Sequence, residues 1–152
     1  MDVTFTTDSD RQTIELGREF GRLLKPGDVV CLYGELGSGK TTFIKGIASA
    51  LDIDEDEITS ASFVIIAEHE GRFPLYHIDL YRVEGEDALF ETGLYEYLDG
   101  DGISVVEWAE RLNGDCSFEV TIEIVEGEKR RIIFKGPERV LSRLKPVDKE
   151  VL

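Results

Sequence analysis

A chain of 152 residues with 41% apolar and 32% charged side chains has the composition of a single soluble globular domain. At this length folding can bury roughly two-thirds of the unfolded surface without a metal or disulfide staple. A formal net charge of −15 argues against unaided binding to nucleic acid, whose phosphates reward lysine and arginine. Apolar runs are short, and Met1-Asp2-Val3-Thr4 lacks the basic and apolar blocks of a signal peptide, so the expectation is no membrane span and a cytoplasmic location.

The charge is uneven. Residues 1–128 carry 9 basic and 29 acidic side chains, a balance of −20, whereas residues 129–152 carry 8 basic and 3 acidic, a balance of +5. Two cysteines, Cys31 and Cys116, in a chain with no secretory signal predict free thiols, and Cys31 in Val29-Val30-Cys31-Leu32 reads as core. The thiols and histidines do not have zinc-ligand spacing.

In chain order, Val3-Thr4-Phe5-Thr6 is a short start that alternates apolar and polar, and Ser9 followed by Gln12 matches a capping box opening a helix. The expected buried stripe of that helix is Ile14, Leu16, Phe20, Leu23 and Leu24, and Lys25-Pro26-Gly27 should stop it. Asp28 to Tyr33 is a β-branched apolar run suited to burial on both faces of a parallel sheet. After a glycine loop, Phe43, Ile44, Ile47, Ala48 and Leu51 recur on one helical face, predicting a helix from Lys40 to about Leu51.

The acidic stretch Asp52 to Glu57 reads as a solvated turn. Phe63 to His69 and Phe73 to Tyr81 read as strands joined around Gly71, and Glu84 to Thr92 as helical in composition. Ile103 to Val106 is a short buried strand ending at Glu107-Trp108. Phe118, Val120, Ile122 and Ile124 alternate with polar residues, predicting a strand with one wet face that pairs through Glu126-Gly127-Glu128 with Arg131 to Lys135. A final helix is expected from Pro137. These elements predict one α/β domain over residues 1–152, P-loop NTPase-like, with a mainly parallel central sheet, an antiparallel edge hairpin and flanking helices.

The glycine loop carries the chemistry. Gly34, Gly39, Lys40 and Thr41 satisfy G-x-x-x-x-G-K-S/T, a pattern that arises by chance in a chain of this length about once in a few hundred sequences. The loop follows a predicted strand and opens a predicted helix, where backbone N–H groups and the positive helix end converge on phosphate oxygens. ATP would therefore contact Glu35, Leu36, Gly37, Ser38, Gly39, Lys40, Thr41 and Thr42. Lys40 would reach the β- and γ-phosphates and the Thr41 hydroxyl would ligate Mg²⁺. A second acid on the metal is expected at the end of an apolar strand, and two places offer one: Glu107 after Ile103 to Val106, and Asp79 in Tyr76-His77-Ile78-Asp79. Against these roles stand a helix-start glutamate, an aspartate paired with Arg82, and a structural His77.

Taken with Ser60-Ala61-Ser62-Phe63, His77-Ile78-Asp79-Leu80-Tyr81-Arg82 and Val106-Glu107-Trp108, the loop resembles the TsaE (YjeE) family. These are bacterial ATPases needed for the threonylcarbamoyladenosine modification of tRNA at position 37. The resemblance runs from the first helix to the final hairpin. It implies that Thr41 and Glu107 hold Mg²⁺ and that Asp79 acts near the metal or the γ-phosphate. Lys40, Asp79, Glu107, Trp108 and Ser62 would form the catalytic cluster. Ser60 to Phe63 corresponds to the family's Ser-Pro-Thr-Phe switch segment; Ala61 replaces the proline, leaving the loop less pre-organised, and Ser62 keeps a hydroxyl in place of threonine. The family's arginine near the nucleotide matches Arg130, with Arg131 as the substitute. The resemblance also implies partners TsaB and TsaD, contact with tRNA only through that complex, and slow hydrolysis that resets the assembly between rounds.

Two other readings stay open. A small-molecule kinase would need an arginine-rich lid, yet residues 41–128 hold only Lys45, Arg72, Arg82 and Arg111 as basic groups. A nucleotide-dependent binding module without turnover is compatible with the same loop. The basic segment 129–152 is either a solvated face or a surface for an acidic partner or tRNA backbone, with Arg139 and Arg143 on one helical face.

Overall fold

The structure, a computed structural model, describes residues 1–59, 66–81, 93–98, 100–112 and 116–146. Its strands are β1 (Asp2–Thr7), β2 (Val29–Tyr33), β3 (Ile66–His69), β4 (Leu75–Asp79), β5 (Ile103–Glu107), β6 (Phe118–Glu126) and β7 (Lys129–Lys135). They form one sheet in the order β1-β7-β6-β2-β5-β4-β3. The central strands β6, β2, β5 and β4 run parallel, while β3 pairs antiparallel with β4 and β7 pairs antiparallel with both β6 and β1. The mainly parallel sheet with an antiparallel edge hairpin is as the sequence predicts. The seat of β1 beside β7 is a pairing of the chain's two ends that no local pattern announces.

Strand β2 shows why the continuous apolar run reads as central. Val30 and Leu32 enter the core on one face of the sheet, and Val29 and Cys31 enter the cluster on the other. The larger cluster is covered by α1 (Asp10–Gly21) and α2 (Lys40–Ala50). Phe20 stands at its centre, with ring centroids 5.9, 5.2 and 5.0 Å from Phe43, Phe118 and Phe134. The smaller cluster gathers Ile78, Leu80, Val106 and Leu94, the last from α3 (Leu94–Leu98).

Helix α1 begins as predicted, with the Ser9 hydroxyl accepting the Gln12 N–H at 3.2 Å. The reciprocal bond differs by one residue, because Gln12 Oε1 accepts from the Asp8 N–H. The buried face also differs from the predicted stripe. It is Thr13, Leu16, Gly17, Phe20 and Gly21, with Ile14 and Leu23 only half-buried. The reason is contact between helices: a Cβ on Gly17 would lie 2.4 Å from the Phe43 carbonyl oxygen, and one on Gly46 would lie 2.0 Å from that of Ile14. Glycines let the two backbones touch, and hydrophobic periodicity does not register a contact made by residues without side chains.

The cysteines are a second correction. Cys31 and Cys116 are joined as a disulfide across 85 residues of sequence. Cys116 lies just before β6, the parallel neighbour of β2, so register brings together thiols that sequence spacing kept apart. In the tail, α4 (Glu138–Leu141) is only four residues long. Leu141 and Leu144 pack into the main core, but the helix ends before Arg143, so Arg139 and Arg143 are exposed without sharing a helical face. The expected strand residues 63–65 and helix 84–92 lie outside the described residues. Among the described residues no helix is long and apolar enough to cross a membrane.

Candidate nucleotide site

The loop from Gly34 to Thr41 joins the C-terminal end of β2 to the first turn of α2, at the carboxyl edge of the parallel strands, where α/β sheets bind ligands. Gly37 and Gly39 have φ of 80° and 108°, left-handed values that side-chain-bearing residues rarely adopt. Gly39 is the N-cap of α2 and offers no side-chain bond to the first turn, leaving its N–H groups to whatever lies in the loop. Glu35 and Leu36 project into solvent, Leu36 with 85% of its surface exposed. Thr41 and Thr42 are half-buried on the first turn of α2.

Lys40 is buried. Its ammonium donates to the Gly34 carbonyl at 2.7 Å and lies 4.3 Å from the centroid of the Trp108 ring. Trp108 can cover the lysine because its backbone takes φ 58°, a left-handed conformation that costs a bulky residue on the order of 1–3 kcal/mol. Tyr81 packs on the other aromatic at 4.9 Å between centroids, a contact the sequence reading did not foresee.

The two acids stand at adjacent strand ends. Asp79 closes β4, Glu107 closes β5, and they are in register with each other, while Leu32 of β2 is the partner of Glu107 on its other side. Glu107 is buried and its Oε2 meets His77 Nε2 at 2.5 Å. Asp79 Oδ1 accepts the Tyr81 N–H at 2.9 Å. Burial raises the Asp79 carboxyl above its ordinary value. The Tyr81 hydrogen bond opposes this, the Glu107 charge adds to it, and His77 and Lys40 pull it back down.

A carboxyl held up in this way binds its proton more tightly folded than unfolded. It therefore costs stability as pH rises from the ordinary carboxylate value of 3.8 through the raised one. Asp79→Asn keeps an oxygen for the Tyr81 N–H and removes the charge. Its nucleotide-free form should melt higher than the parent near neutral pH, by a few degrees at most. The gap should close as pH falls toward the ordinary carboxylate range. Thermal unfolding across that range tests this, and a gap independent of pH would contradict it.

Arg130, at the start of β7, is buried beneath the loop. Its Nε donates to the Ser38 carbonyl at 2.6 Å, and its Nη1 donates to the carbonyls of Gly127 and Lys129. Arg131 instead points to Glu123 at the surface, so of the two candidate arginines it is Arg130 that reaches the loop. A groove of about 360 Å³ opens beside the loop, between Gly34, Glu35 and Ser38 and the end of β6 from Thr121 to Ile124. The sequence held no signal for it beyond the wet face of that strand. Ser60, Ser62 and Arg82 lie outside the described residues, so the switch segment and the Asp79–Arg82 pairing do too.

A glycine loop between a central parallel strand and a helix, a buried lysine inside it and an acid at the end of the neighbouring strand define a P-loop protein. The sequence matches the family model described as threonylcarbamoyl adenosine biosynthesis protein TsaE over residues 7–133. It is 43% identical over 117 residues to the tRNA threonylcarbamoyladenosine biosynthesis protein TsaE of Treponema pallidum, covering 76% of this chain and 86% of that one. It is 39% identical over 136 residues to the protein of the same name from Bacillus subtilis, covering 87% and 84%. The crystal structure of YdiB from Bacillus subtilis superposes with a TM-score of 0.73 at 34% identity, covering 94% of this chain and 91% of that one. The chain belongs to the TsaE family of tRNA threonylcarbamoyladenosine biosynthesis.

Proposed function

We propose that this chain is a magnesium-dependent ATP hydrolase that serves tRNA threonylcarbamoyladenosine modification in concert with TsaB and TsaD. The observation that carries the reading is the register of Asp79 with Glu107, two carboxyl groups at adjacent strand ends on the edge of the sheet where the loop holds the buried Lys40. The donor set fits the ligand. Thr41, Asp79 and Glu107 supply hard oxygens of the kind Mg²⁺ takes alongside phosphates and water. Ser38 Oγ, buried and without a hydrogen-bond partner among the described residues, borders the groove where a nucleotide oxygen would satisfy it.

Bound Mg²⁺ would neutralise charge on the phosphoryl group as it transfers. Lys40 would leave the Gly34 carbonyl for the β- and γ-phosphates, and the loop N–H groups would hold the chain of phosphates. Thr41 and Glu107 would hold the metal. Asp79, its carboxyl raised above its ordinary value by burial, would orient the attacking water. Arg130, gripping the Ser38 carbonyl, would hold the loop in its open curl. The aromatic pair of Tyr81 and Trp108 would shield Lys40 from solvent.

Single-turnover phosphate release from ATP, with the chain alone and with TsaB and TsaD added, tests the reading. The expected result is slow release alone, at least about tenfold faster release with partners, and a weakened magnesium dependence in Glu107→Gln. Transfer to a metabolite, or no release in the full mixture, would overturn it.

A further inference from the structure

Glu107 has two carboxylate oxygens, and one of them is already taken. Oε2 lies 2.5 Å from His77 Nε2, and the two side chains are 7% and 2% exposed respectively. An ionised carboxylate only accepts, so a metal-binding Glu107 takes this bond with Nε2 as the donor. The sheet builds this contact. His77 is in register with Val105 and Asp79 with Glu107, so on the β4–β5 ladder His77 and Glu107 are diagonal neighbours on one face. Burial of both leaves Oε2 few alternatives, and a buried carboxylate so held keeps one rotamer.

We infer that His77 is a positioning residue that sets which divalent cation the site accepts, an inference that rests on the metal role of Glu107 proposed above. With Oε2 held by the imidazole, Glu107 has a single oxygen to offer. A small octahedral ion such as Mg²⁺, which draws on one or two carboxylates together with phosphates and water, is served by that arrangement. Ca²⁺ is larger, takes more oxygens and readily engages a carboxylate through both, so it loses a ligand here. His77 therefore favours Mg²⁺ over Ca²⁺ without touching either. A histidine that merely satisfied a buried acid would affect stability and leave the ratio of the two affinities alone.

The test is calorimetric titration of the full chain with ATP in excess Mg²⁺ or excess Ca²⁺, read as the ratio of the two dissociation constants. The parent should prefer the magnesium complex. His77→Leu should lower that preference about tenfold, the scale on which groups behind metal ligands act. His77→Gln, whose amide nitrogen reaches the position of Nε2, should keep the preference within about twofold of the parent. If His77→Leu does not fold, His77→Asn serves, since its shorter amide stays polar but falls short of Oε2 and should also lower the preference. A preference in His77→Leu or His77→Asn equal to the parent's overturns the inference. Glu107→Gln separates the two readings. If it weakens binding of the magnesium complex while His77 variants keep the parent ratio, only the role of His77 falls. If it leaves magnesium binding unchanged, the metal role of Glu107 falls and this inference with it.

Discussion

Gly46→Ala should unfold the protein or bring it close to unfolding. A Cβ at this position would sit 2.0 Å from the carbonyl oxygen of Ile14, 2.7 Å from the backbone nitrogen of Arg18 and 2.8 Å from the Cα of Gly17. All three obstacles are main-chain atoms of α1, so no rotamer change relieves the clash. The helices would have to part, and the seam they close holds Phe20 and Phe43 together over the sheet. Overpacking of this kind costs about 3 kcal/mol or more, a large share of the roughly 5–15 kcal/mol by which a domain is stable. Urea denaturation reads it as a lower midpoint at similar slope, or as a chain that never folds. Lys45→Ala, one residue earlier and half-buried on the same helix, is the control and should change little. A Gly46→Ala midpoint matching that control would mean the helices do not approach this closely.

Lys40→Ala should abolish nucleotide binding in a protein that stays folded. Among the described residues the Lys40 ammonium meets the Gly34 carbonyl and the Trp108 ring, and both belong to the site and not to the main core. In the proposed role its loss would remove charge-assisted hydrogen bonds to two phosphates, each worth about 1.5–3 kcal/mol, so affinity should fall about a hundredfold or more. Calorimetry measures the fall. Trp108 gives a second readout, because the cation over its ring would move when phosphates arrive and its fluorescence should change only in the parent. Unchanged ATP affinity in folded Lys40→Ala would sink the P-loop reading of the site.

Much of the fold is legible in local pattern. The continuous apolar run of β2 marked a strand buried on both faces, and Val29, Val30, Cys31 and Leu32 are all buried. The alternation in β6 marked a strand with one wet face, which holds to Ile122; Ile124 is exposed where the strand runs past the core. The stripe predicted for α1 was displaced because Gly17, Gly21 and Gly46 create a seam out of absent side chains. No hydrophobicity count rewards glycine, so this close helix contact was invisible to it. The free-thiol expectation failed for a related reason, since cysteine number and spacing speak to compartment while pairing depends on which strands lie side by side.

What the sequence by itself determined is what depends on neighbours along the chain. Glycine backbone freedom curls the loop at Gly37 and Gly39, the helix start at Lys40 lies directly behind it, and the set of motifs was enough to indicate the TsaE family. What only the tertiary structure decided is who stands across from whom. His77 meets Glu107 across 30 residues, Arg130 reaches the Ser38 carbonyl across 92, and Cys31 joins Cys116 across 85. Each of these contacts follows from strand order and register. Those are settled by how buried faces fit together over the whole sheet, and a shift of one residue would turn every side chain of a strand to the opposite face.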